Sequence, residues 1–359
     1  MKPVLTEKDI NIFTIVKDKN NISPIRQWCI DSWHKCMPNA NVMIFDDSDL
    51  NNPNWKYYNV IKNDKLWNYY KYHKQTNLGI DDDPNAESVS PVSTDSIRIR
   101  LLRVIPNALY MDSDAYLNIR SNEFLDLCNK YGDVNISGIH KYENDDTIVF
   151  TGYFAGAKNK FLNDIIEYYD KISINEISYD LETIYKYCKN SNNADIKKIY
   201  VVPHYNFYKH LGISLLRYNN LFEGKKQINI VFIKTFSEKE KANIKLLKNY
   251  DDLYYYYKQK VLKEFNNCNN SLFIIIVDGL FTLFTGLNPT MSNIVPINNN
   301  NLLCVVRIYC IFDLFEKDGF ISAFKDTFKL KIKSVKNKPI NFYELDEDNS
   351  NSANFLKKI

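Results

Sequence analysis

The chain has 359 residues, enough for a sizeable core and more than one average domain requires. Hydrophobic residues at 45% and charged residues at 25% are typical of a globular protein, so disorder is expected only in the polar tail around residues 346–354. The net charge of +3 comes from dispersed lysines and arginines, without the basic stripe of a nucleic-acid-binding protein. A nucleic-acid partner is therefore not expected.

Seven cysteines without a CxxC pair indicate free thiols in a reducing compartment and argue against a zinc site. The N-terminal residues lack the pattern of a secretory signal. The apolar segment Leu272–Leu287 carries Asp278 and falls short of the roughly 20 residues that span a membrane, so it predicts a buried strand and turn. We expect a soluble, cytoplasmic protein that could touch a membrane only peripherally.

Short apolar runs alternate with amphipathic stretches in the first half of the chain, which is the pattern of an α/β domain. Pro24 marks the start of a helix, whereas Pro38 and Pro106 mark the ends of helices, because proline fits the first turn and interrupts the interior. The predicted elements are, in chain order, strand Asn11–Val16, helix Pro24–Met37, strand Val42–Phe45, a helical region Trp55–Lys74, a polar loop Asn77–Ser90, helix Thr94–Ile105, strand Ala108–Met111, a helix–strand–helix from Asn122 to Tyr169, and strand Ile199–Val202.

A domain boundary is predicted near Glu223–Gln227, before a strand at Ile228–Ile233 and a helix that begins with a capping box at Ser237. The tyrosine run Tyr254–Tyr257 is interpreted as packing on a helix. The chain is thus divided into a first domain of residues 1–225 and a C-terminal α/β extension of residues 226–359, whose tail, 346–359, is expected to be flexible.

The predicted helix Thr94–Ile105 carries two charged residues three positions apart, Asp95 and Arg98, which would be neighbours on its surface. Its buried face is predicted to comprise Ile97, Leu101, Val104 and Ile105, and its water-facing side Ser96, Arg100 and Arg103. Taken alone, Asp95 and Arg98 could be a surface ion pair that contributes under about 1 kcal/mol.

The following strand, Ala108–Met111, delivers Asp112-Ser113-Asp114 at its carboxyl end, where open α/β sheets bind ligands. In extended chain the two aspartates share one side, with Ser113 turned away, and they repel each other unless a cation joins them. Mg²⁺ and Mn²⁺ prefer such hard oxygen ligands and bind through one or two carboxylates plus substrate phosphates. The sequence therefore predicts a Mn²⁺ or Mg²⁺ site at Asp112 and Asp114.

The same triplet occurs earlier, as Asp47-Ser48-Asp49 after the strand Val42–Phe45. Polar residues follow that first triplet, which is typical of a solvated turn, whereas apolar Ala115-Tyr116-Leu117 follows the second. We therefore place the site at the second triplet and expect Asp49→Asn to be nearly silent for activity.

The order Thr94-Asp95-Ser96-Ile97-Arg98, an apolar helix and Tyr110-Met111-Asp112-Ser113-Asp114 resembles the sugar transferases of glycosyltransferase family 32, which include capsular-polysaccharide, mannosyl and toxin-type glucosyl transferases. Arg26–Asp46 and Thr151–Tyr169 also resemble that family, whereas Pro106-Asn107 before the strand is similar to glycosyltransferase family 8. The resemblance covers roughly residues 10–210 and implies a GT-A fold, a Rossmann-like mixed sheet flanked by helices.

The resemblance implies a retaining glycosyltransferase that moves a hexose from a UDP- or GDP-sugar to a hydroxyl of a glycan, lipid-linked glycan or protein acceptor. Residue-for-residue carry-over places Asp95 and Arg98 at the donor sugar and its diphosphate, Asp112 at the ribose and metal, and Asp114 on the metal. It also implies a further metal ligand in the C-terminal part, for which the candidates are His204, His210, Asn288 and Ser292. No carboxylate is assigned as a nucleophile.

Two other functions are compatible with the sequence. A phosphatase of the haloacid dehalogenase type also places Asp-x-Asp after an apolar strand, but it prefers Gly-Thr where Ala115-Tyr116 stands here. A catalytically silent binding protein or effector on a transferase fold is the second alternative, and the intact set of Asp95, Arg98, Asp112 and Asp114 argues against it.

Overall fold

The computed structural model describes residues 4–70, 91–117, 119–131, 136–141, 147–155, 160–171, 173, 200–203, 208–210, 222–233, 242, 245–265, 267–278, 287, 294–298, 300–308, 317–331, 335, 337–345 and 356–358. The chain divides into two compact units, Met1–Lys209 and His210–Ile359, so the division falls earlier than the expected boundary near residue 225. Both units are α/β, with parallel strands and helices beside them, as the sequence predicts at this coarse level.

The first unit contains a six-stranded mixed sheet in the order β2-β1-β3-β6-β5-β7. The strands are β1 (Asn11–Ile15), β2 (Asn41–Phe45), β3 (Ala108–Met111), β5 (Ile136–Lys141), β6 (Thr147–Ala155) and β7 (Tyr200–Pro203). β1 is parallel to both of its neighbours, β6 is antiparallel to β3 and β5, and β7 is parallel to β5. β4 (Ala115–Leu117) and β8 (Tyr208–His210) form a separate two-stranded sheet.

The helices of the first unit are α1 (Pro24–Cys36), α2 (Asp47–Leu50), α3 (Tyr58–Ile61), α4 (Lys65–Tyr70), α5 (Pro91–Val104), α6 (Ser121–Tyr131) and α7 (Lys160–Lys171), after a 3₁₀ turn at Glu7–Asp9. α1 begins as predicted, with Ser23 extended at the N-cap and Pro24 in the first turn. α5 ends before Pro106, and Asn107 then adopts a left-handed φ of 46°, a conformation that asparagine tolerates better than most residues.

Hydrophobic side chains cover the central strands on both sides, because successive residues of a strand point to opposite faces. Phe13, Ile15 and Tyr110 belong to one buried cluster, together with residues of α4, α5 and α7. Ile12 and Met111 belong to the other, together with residues of α1 and α6. The central strands are therefore anchored from both sides, and their carboxyl ends are fixed in position.

The chain leaves β1 through α1 and returns as β2 on one side of β1, whereas β3 lies on the other side. The strand order consequently reverses between β1 and β3. In open α/β sheets this reversal leaves a crevice outside the carboxyl ends of the two strands, and ligands bind there.

The second unit has its own six-stranded sheet, in the order β11-β12-β10-β9-β13-β14. The strands are β9 (Gln227–Ile233), β10 (Ser271–Asp278), β11 (Ile294–Pro296), β12 (Leu302–Ile308), β13 (Ile340–Leu345) and β14 (Leu356–Lys358), and the helices are α8 (Tyr250–Glu264) and α9 (Lys317–Lys331). β12, β10, β9 and β13 are parallel, and the two edge strands are antiparallel to their neighbours. The continuous apolar run of β10 is buried, as expected for a central parallel strand.

Several predicted elements differ from the structure. The helical region Trp55–Lys74 is two short helices, α3 and α4, over its described part, and two strands rather than one separate α6 from α7. Within the tail that the sequence predicts to be flexible, β14 pairs with β13. The predicted loop Asn77–Ser90 and the helix start at Ser237 lie outside the described residues.

Other expectations are confirmed. The tyrosine run lies on α8, with Tyr254 and Tyr257 buried in the core. Five cysteines of the described part, Cys29, Cys36, Cys128, Cys268 and Cys304, are thiols that form no disulfide bond. None of the helices within the described residues is both long and apolar enough to cross a membrane.

Candidate functional site

The second aspartate triplet follows β3 directly, as the sequence predicts. β3 is completely buried and pairs with β1 on one side and with β6 on the other, where Met111 lies opposite Gly152. Asp112 is therefore the first residue beyond the buried part of the sheet. It lies at the carboxyl end of β3, on the side where the strand order reverses.

Residues Asp112–Asp114 form a tight turn rather than extended chain. The backbone N–H of Ala115 donates to the carbonyl of Asp112 at 2.9 Å, and Ser113 is buried while both aspartates are partly exposed. The backbone is therefore not extended as the prediction assumed, but the burial of Ser113 between two partly exposed aspartates agrees with it.

The strand after the turn, β4, is held against α1. The Trp33 indole Nε1 donates to the Ala115 carbonyl at 2.8 Å, and the Leu117 N–H donates to the Ser32 hydroxyl at 2.8 Å. The rings of Trp28 and Tyr116 also lie against each other, with centroids 4.3 Å apart. The prediction that structured chain fixes this triplet on its C-terminal side is confirmed.

Two side chains, those of Tyr110 and Arg98, contact Asp112. The Tyr110 hydroxyl donates to Asp112 Oδ1 at 2.7 Å, and Arg98 Nη1 lies 3.5 Å from the same oxygen. The Arg98 guanidinium carbon also lies 4.9 Å from the Tyr110 ring centroid, within range of a cation–π contact. Arg98 is only 4% exposed, whereas the Asp112 side chain is 22% exposed, so positive charge lies beneath the carboxylate that faces outward.

The Tyr110 hydroxyl remains a hydrogen-bond donor throughout the physiological pH range. Burial, together with the negative charge of Asp112, raises the pKa of Tyr110 well above its ordinary value, and Arg98 offsets only part of this effect. A protonated phenol can donate to Asp112, whereas a phenolate would repel it. Asp112 is thus fixed by one neutral donor and one cation.

α5 is more deeply buried than its helical pattern predicts. Ile97, Leu101 and Ile105 are buried as expected, but Val104 is exposed. Ser96 and Arg100, which were expected to face water, instead contact Asp64, whereas Arg103 is exposed as predicted. Arg98 is buried, so the interpretation as a surface ion pair is wrong for this residue. The Asp95 side chain lies outside the described part of the chain.

Asp64 pairs with Arg100 through a charged hydrogen bond of 2.5 Å to the guanidinium Nε. A second carboxylate, Asp170, contacts the other end of the same guanidinium group. Burial alone would lower the pKa of Arg100, but the two negative charges more than offset it, so the pKa lies above its ordinary value. Arg100 is therefore a partly buried cation held between two carboxylates.

The first triplet has a structural role instead of lying in a solvated turn. Asp46 caps α2 by accepting from the N–H groups of Ser48 and Asp49, and Asp49 accepts in return from the N–H of Asp46. Lys19 Nζ lies 2.8 Å from Asp49. These contacts form a reciprocal capping box. The triplet forms one turn of helix rather than the predicted turn, between buried Asp46 and Leu50, and Asp47, Ser48 and Asp49 themselves are exposed or partly exposed.

The described residues contain no group of three or more histidine, cysteine or acidic side chains that could hold a metal ion. Asp112 and Asp114 are a pair of partly exposed carboxylates, a donor set that suits Mg²⁺ or Mn²⁺ completed by ligand phosphates and water. Three candidates for a further ligand, His204, Asn288 and Ser292, lie outside the described residues, as does the side chain of His210.

Sequence reasoning missed three buried polar groups around the β1–α1 connection. Thr14 Oγ1, Ser23 Oγ and Arg26 Nε are buried and have no hydrogen-bond partner among the residues that the structure describes. Thr14 lies near the end of β1, Ser23 is the N-cap of α1, and Arg26 is in the first turn of α1. Buried polar groups normally bind protein, water or ligand, so these atoms offer binding capacity beside the strand-order reversal.

No protein-family model matches this chain, and no match is found among curated proteins. The functional interpretation therefore depends on the sequence motif and on the geometry around Asp112.

The capping role of Asp46 gives a prediction about stability. Replacing Asp46 with alanine should lower the free energy of unfolding by about 1 kcal/mol at neutral pH, the usual effect of losing an N-cap. Burial would raise the pKa of Asp46, but the hydrogen bonds and Lys19 lower it below its ordinary value of 3.8. The stabilisation is therefore complete above pH 3.8 and is lost as the pH falls further. Urea unfolding between pH 7 and pH 2 measures both effects.

The control for charge removal is Asp126→Ala, on the exposed side of α6. Asp46→Ala should approach the wild-type stability at the acid end of the series, because the wild type has then lost the same carboxylate. A constant difference between Asp46→Ala and wild type at every pH would contradict the capping role of the ionised group.

Proposed function

We propose that the chain is a metal-dependent glycosyltransferase of the GT-A type, which transfers a hexose with retention from a nucleotide diphosphate sugar to an acceptor hydroxyl. One observation carries the proposal: two partly exposed aspartates, Asp112 and Asp114, lie at the carboxyl end of β3 where the strand order reverses, and the buried cation Arg98 lies beside Asp112. Paired carboxylates over a fixed cation suit a ligand that brings both a divalent metal and phosphates.

Asp112 and Asp114 have different roles in binding the donor. Asp112 Oδ1 already accepts a hydrogen bond from Tyr110 and lies beside Arg98. We therefore assign direct metal binding chiefly to Asp114, and to Asp112 the role of connecting the metal site with Arg98 and Tyr110. A bound Mn²⁺ or Mg²⁺ would supply positive charge to the diphosphate as it leaves the sugar. The closed turn between Asp112 and Ala115 keeps both carboxylates in place, so little reorganisation is needed when the donor binds.

Arg98 acts from below the site. Its guanidinium stacks on Tyr110 and reaches Asp112. Only the Asp112 side chain therefore separates the positive charge from the proposed diphosphate. Arginine retains its charge in a buried environment, where the low dielectric strengthens its field. The fixed charge is suited to the transition state, in which negative charge accumulates on the leaving diphosphate.

The polar atoms of the β1–α1 connection are suited to bind the nucleoside of the donor. Thr14, on the strand next to β3, and Ser23 and Arg26, at the start of α1, provide two hydroxyls and one guanidinium N–H that have no partner among the described residues. A nucleoside presents ribose hydroxyls and base carbonyls that such groups can bind. We therefore propose that the donor lies across β1 and β3, with its nucleoside toward α1 and its diphosphate at Asp112 and Asp114.

The metal dependence of nucleotide binding tests the proposal. Thermal-shift measurements with UDP-, GDP- and CMP-sugars should show stabilisation by one donor with Mn²⁺, of about 2.7 kcal/mol at one hundred times the Kd. Asp114→Asn should abolish the Mn²⁺-dependent part, and Asp49→Asn, in the same triplet pattern, should retain it. Undiminished binding in EDTA would contradict the metal role. Release of phosphate from a simple phosphomonoester would favour the phosphatase alternative.

Arg98→Lys tests whether the buried cation serves the reaction. Lysine keeps the charge but lacks the planar group that stacks on Tyr110 and reaches Asp112 at the same time. The barrier to donor hydrolysis should rise by roughly 2–4 kcal/mol, a hundredfold or more in kcat/KM. Arg103→Lys, on the exposed side of the same helix, is the matched control and should be silent. Equal kinetics in wild type and Arg98→Lys would leave only the aspartates to support a transferase.

Ser23→Ala separates ligand binding from stability. An N-cap serine usually contributes about 1 kcal/mol through its side chain, but Ser23 makes no capping hydrogen bond. The substitution should therefore leave the urea midpoint almost unchanged and weaken nucleotide binding by about 1 kcal/mol, roughly fivefold. Ser121→Ala should show the reverse, since that hydroxyl bonds to Glu7. Unchanged nucleotide affinity in Ser23→Ala would exclude the α1 connection from the donor site.

A further inference from the structure

Asp64 binds two helices at once through its two carboxylate oxygens. Oδ1 accepts the backbone N–H of Trp67 at 2.8 Å, which caps the first turn of α4. Oδ2 accepts from the Ser96 hydroxyl and from Arg100 Nε, both on α5. The residue is 1% exposed, so water cannot replace these contacts. One carboxylate therefore fixes α5 relative to the start of α4.

The contacts of α5 with Asp64 and Asp112 lie on opposite sides of the helix. At 3.6 residues per turn, Ser96 and Arg100 are about 40° apart around the axis, whereas Arg98 is roughly 200° from Ser96. Asp64 thus binds the side of α5 that faces α4, and Arg98 extends from the other side to Tyr110 and Asp112. A rotation or slide of α5 that weakened one contact would displace the other.

We propose that Asp64 is a positioning residue for the candidate site: its bonds to Ser96 and Arg100 set the rotation and height of α5, and through them the place of Arg98 beneath Asp112. The proposal assigns Asp64 no contact with substrate. The claim that Asp64 positions Arg98 depends only on the helix geometry. The claim that this positioning affects ligand binding rests on the proposed function.

Asp64→Asn is the sharpest variant, because asparagine retains an oxygen that can cap α4. Its amide group replaces the oxygen that accepts from Ser96 and Arg100, so the bond to α5 is lost while the bond to α4 can remain. Asp170→Asn is the matched control. It removes the carboxylate of Asp170, the other partner of Arg100, and leaves Asp64 in place. The Asp170 side chain is 52% exposed.

Arginine side-chain NMR tests the positioning without any ligand. In wild type, the guanidinium of Arg98, assigned by its loss in Arg98→Lys, should show slow rotation and separate Nη signals. Asp64→Asn should merge or broaden these signals, and Asp170→Asn should leave them unchanged. If Asp64→Asn fails to fold, Ser96→Ala removes one of the same bonds and keeps the ion pair. Unchanged Arg98 signals in the folded variant would overturn the proposal.

Calorimetry with UDP and Mn²⁺ tests the consequence for binding. Asp64→Asn should bind UDP·Mn²⁺ roughly tenfold more weakly, a typical size for coupling through a displaced element, and Asp170→Asn should bind within twofold of wild type. Wild-type affinity in Asp64→Asn, together with altered Arg98 signals, would refute the functional consequence. A wild type that binds no nucleotide would refute the proposed function, and the NMR comparison would still decide whether Asp64 positions Arg98.

Discussion

A buried guanidinium group keeps its charge, so the fold around it must provide carboxylates. α5 carries one buried group, at Arg98, and one partly buried group, at Arg100, which point in nearly opposite directions. Asp112 meets one at the end of β3, and Asp64 meets the other at the start of α4. Removing one partner from a buried pair commonly costs about 3–5 kcal/mol, whereas an exposed pair contributes far less. The place of α5 between α4 and the sheet is thus set by charge compensation as well as by its apolar residues.

The sequence predicted the elements that depend on local patterns. β1, β2, β3 and β10 were recognisable because short apolar runs end at polar or acidic residues, and α1 because proline marks its start. The surroundings of α5 could not be predicted in the same way. Ser96 and Arg100 look water-facing by helical periodicity, but their partner, Asp64, lies 32 and 36 residues away and is supplied by tertiary structure. For the same reason the motif suggested Arg98 as a site residue without indicating that it lies beneath Asp112.

Two copies of Asp-Ser-Asp in one chain have different structures because of what precedes and follows them. Asp46 stands before the first copy and Leu50 after it, so a capping acid and a buried leucine make one turn of helix, α2. The second copy is followed by Ala115-Tyr116-Leu117, which forms β4 and bonds to Trp33 and Ser32 of α1. In the first copy Asp49 therefore binds the backbone and Lys19, whereas in the second copy Asp112 accepts from Tyr110 and lies beside Arg98. A triplet motif is informative only with its flanking residues.

The antiparallel strand β14 has a consequence for the second unit. An uncovered strand edge is a row of N–H and C=O groups that can pair with a strand of another molecule. β14 covers the half of β13 formed by Tyr343, Glu344 and Leu345, and it is only three residues long, ending in Lys357 and Lys358. Short, lysine-bearing edge strands are a common protection against edge-to-edge aggregation. A chain shortened before Leu356 would keep the four parallel strands but would expose one side of β13, where sheets of separate molecules could join into a continuous ribbon.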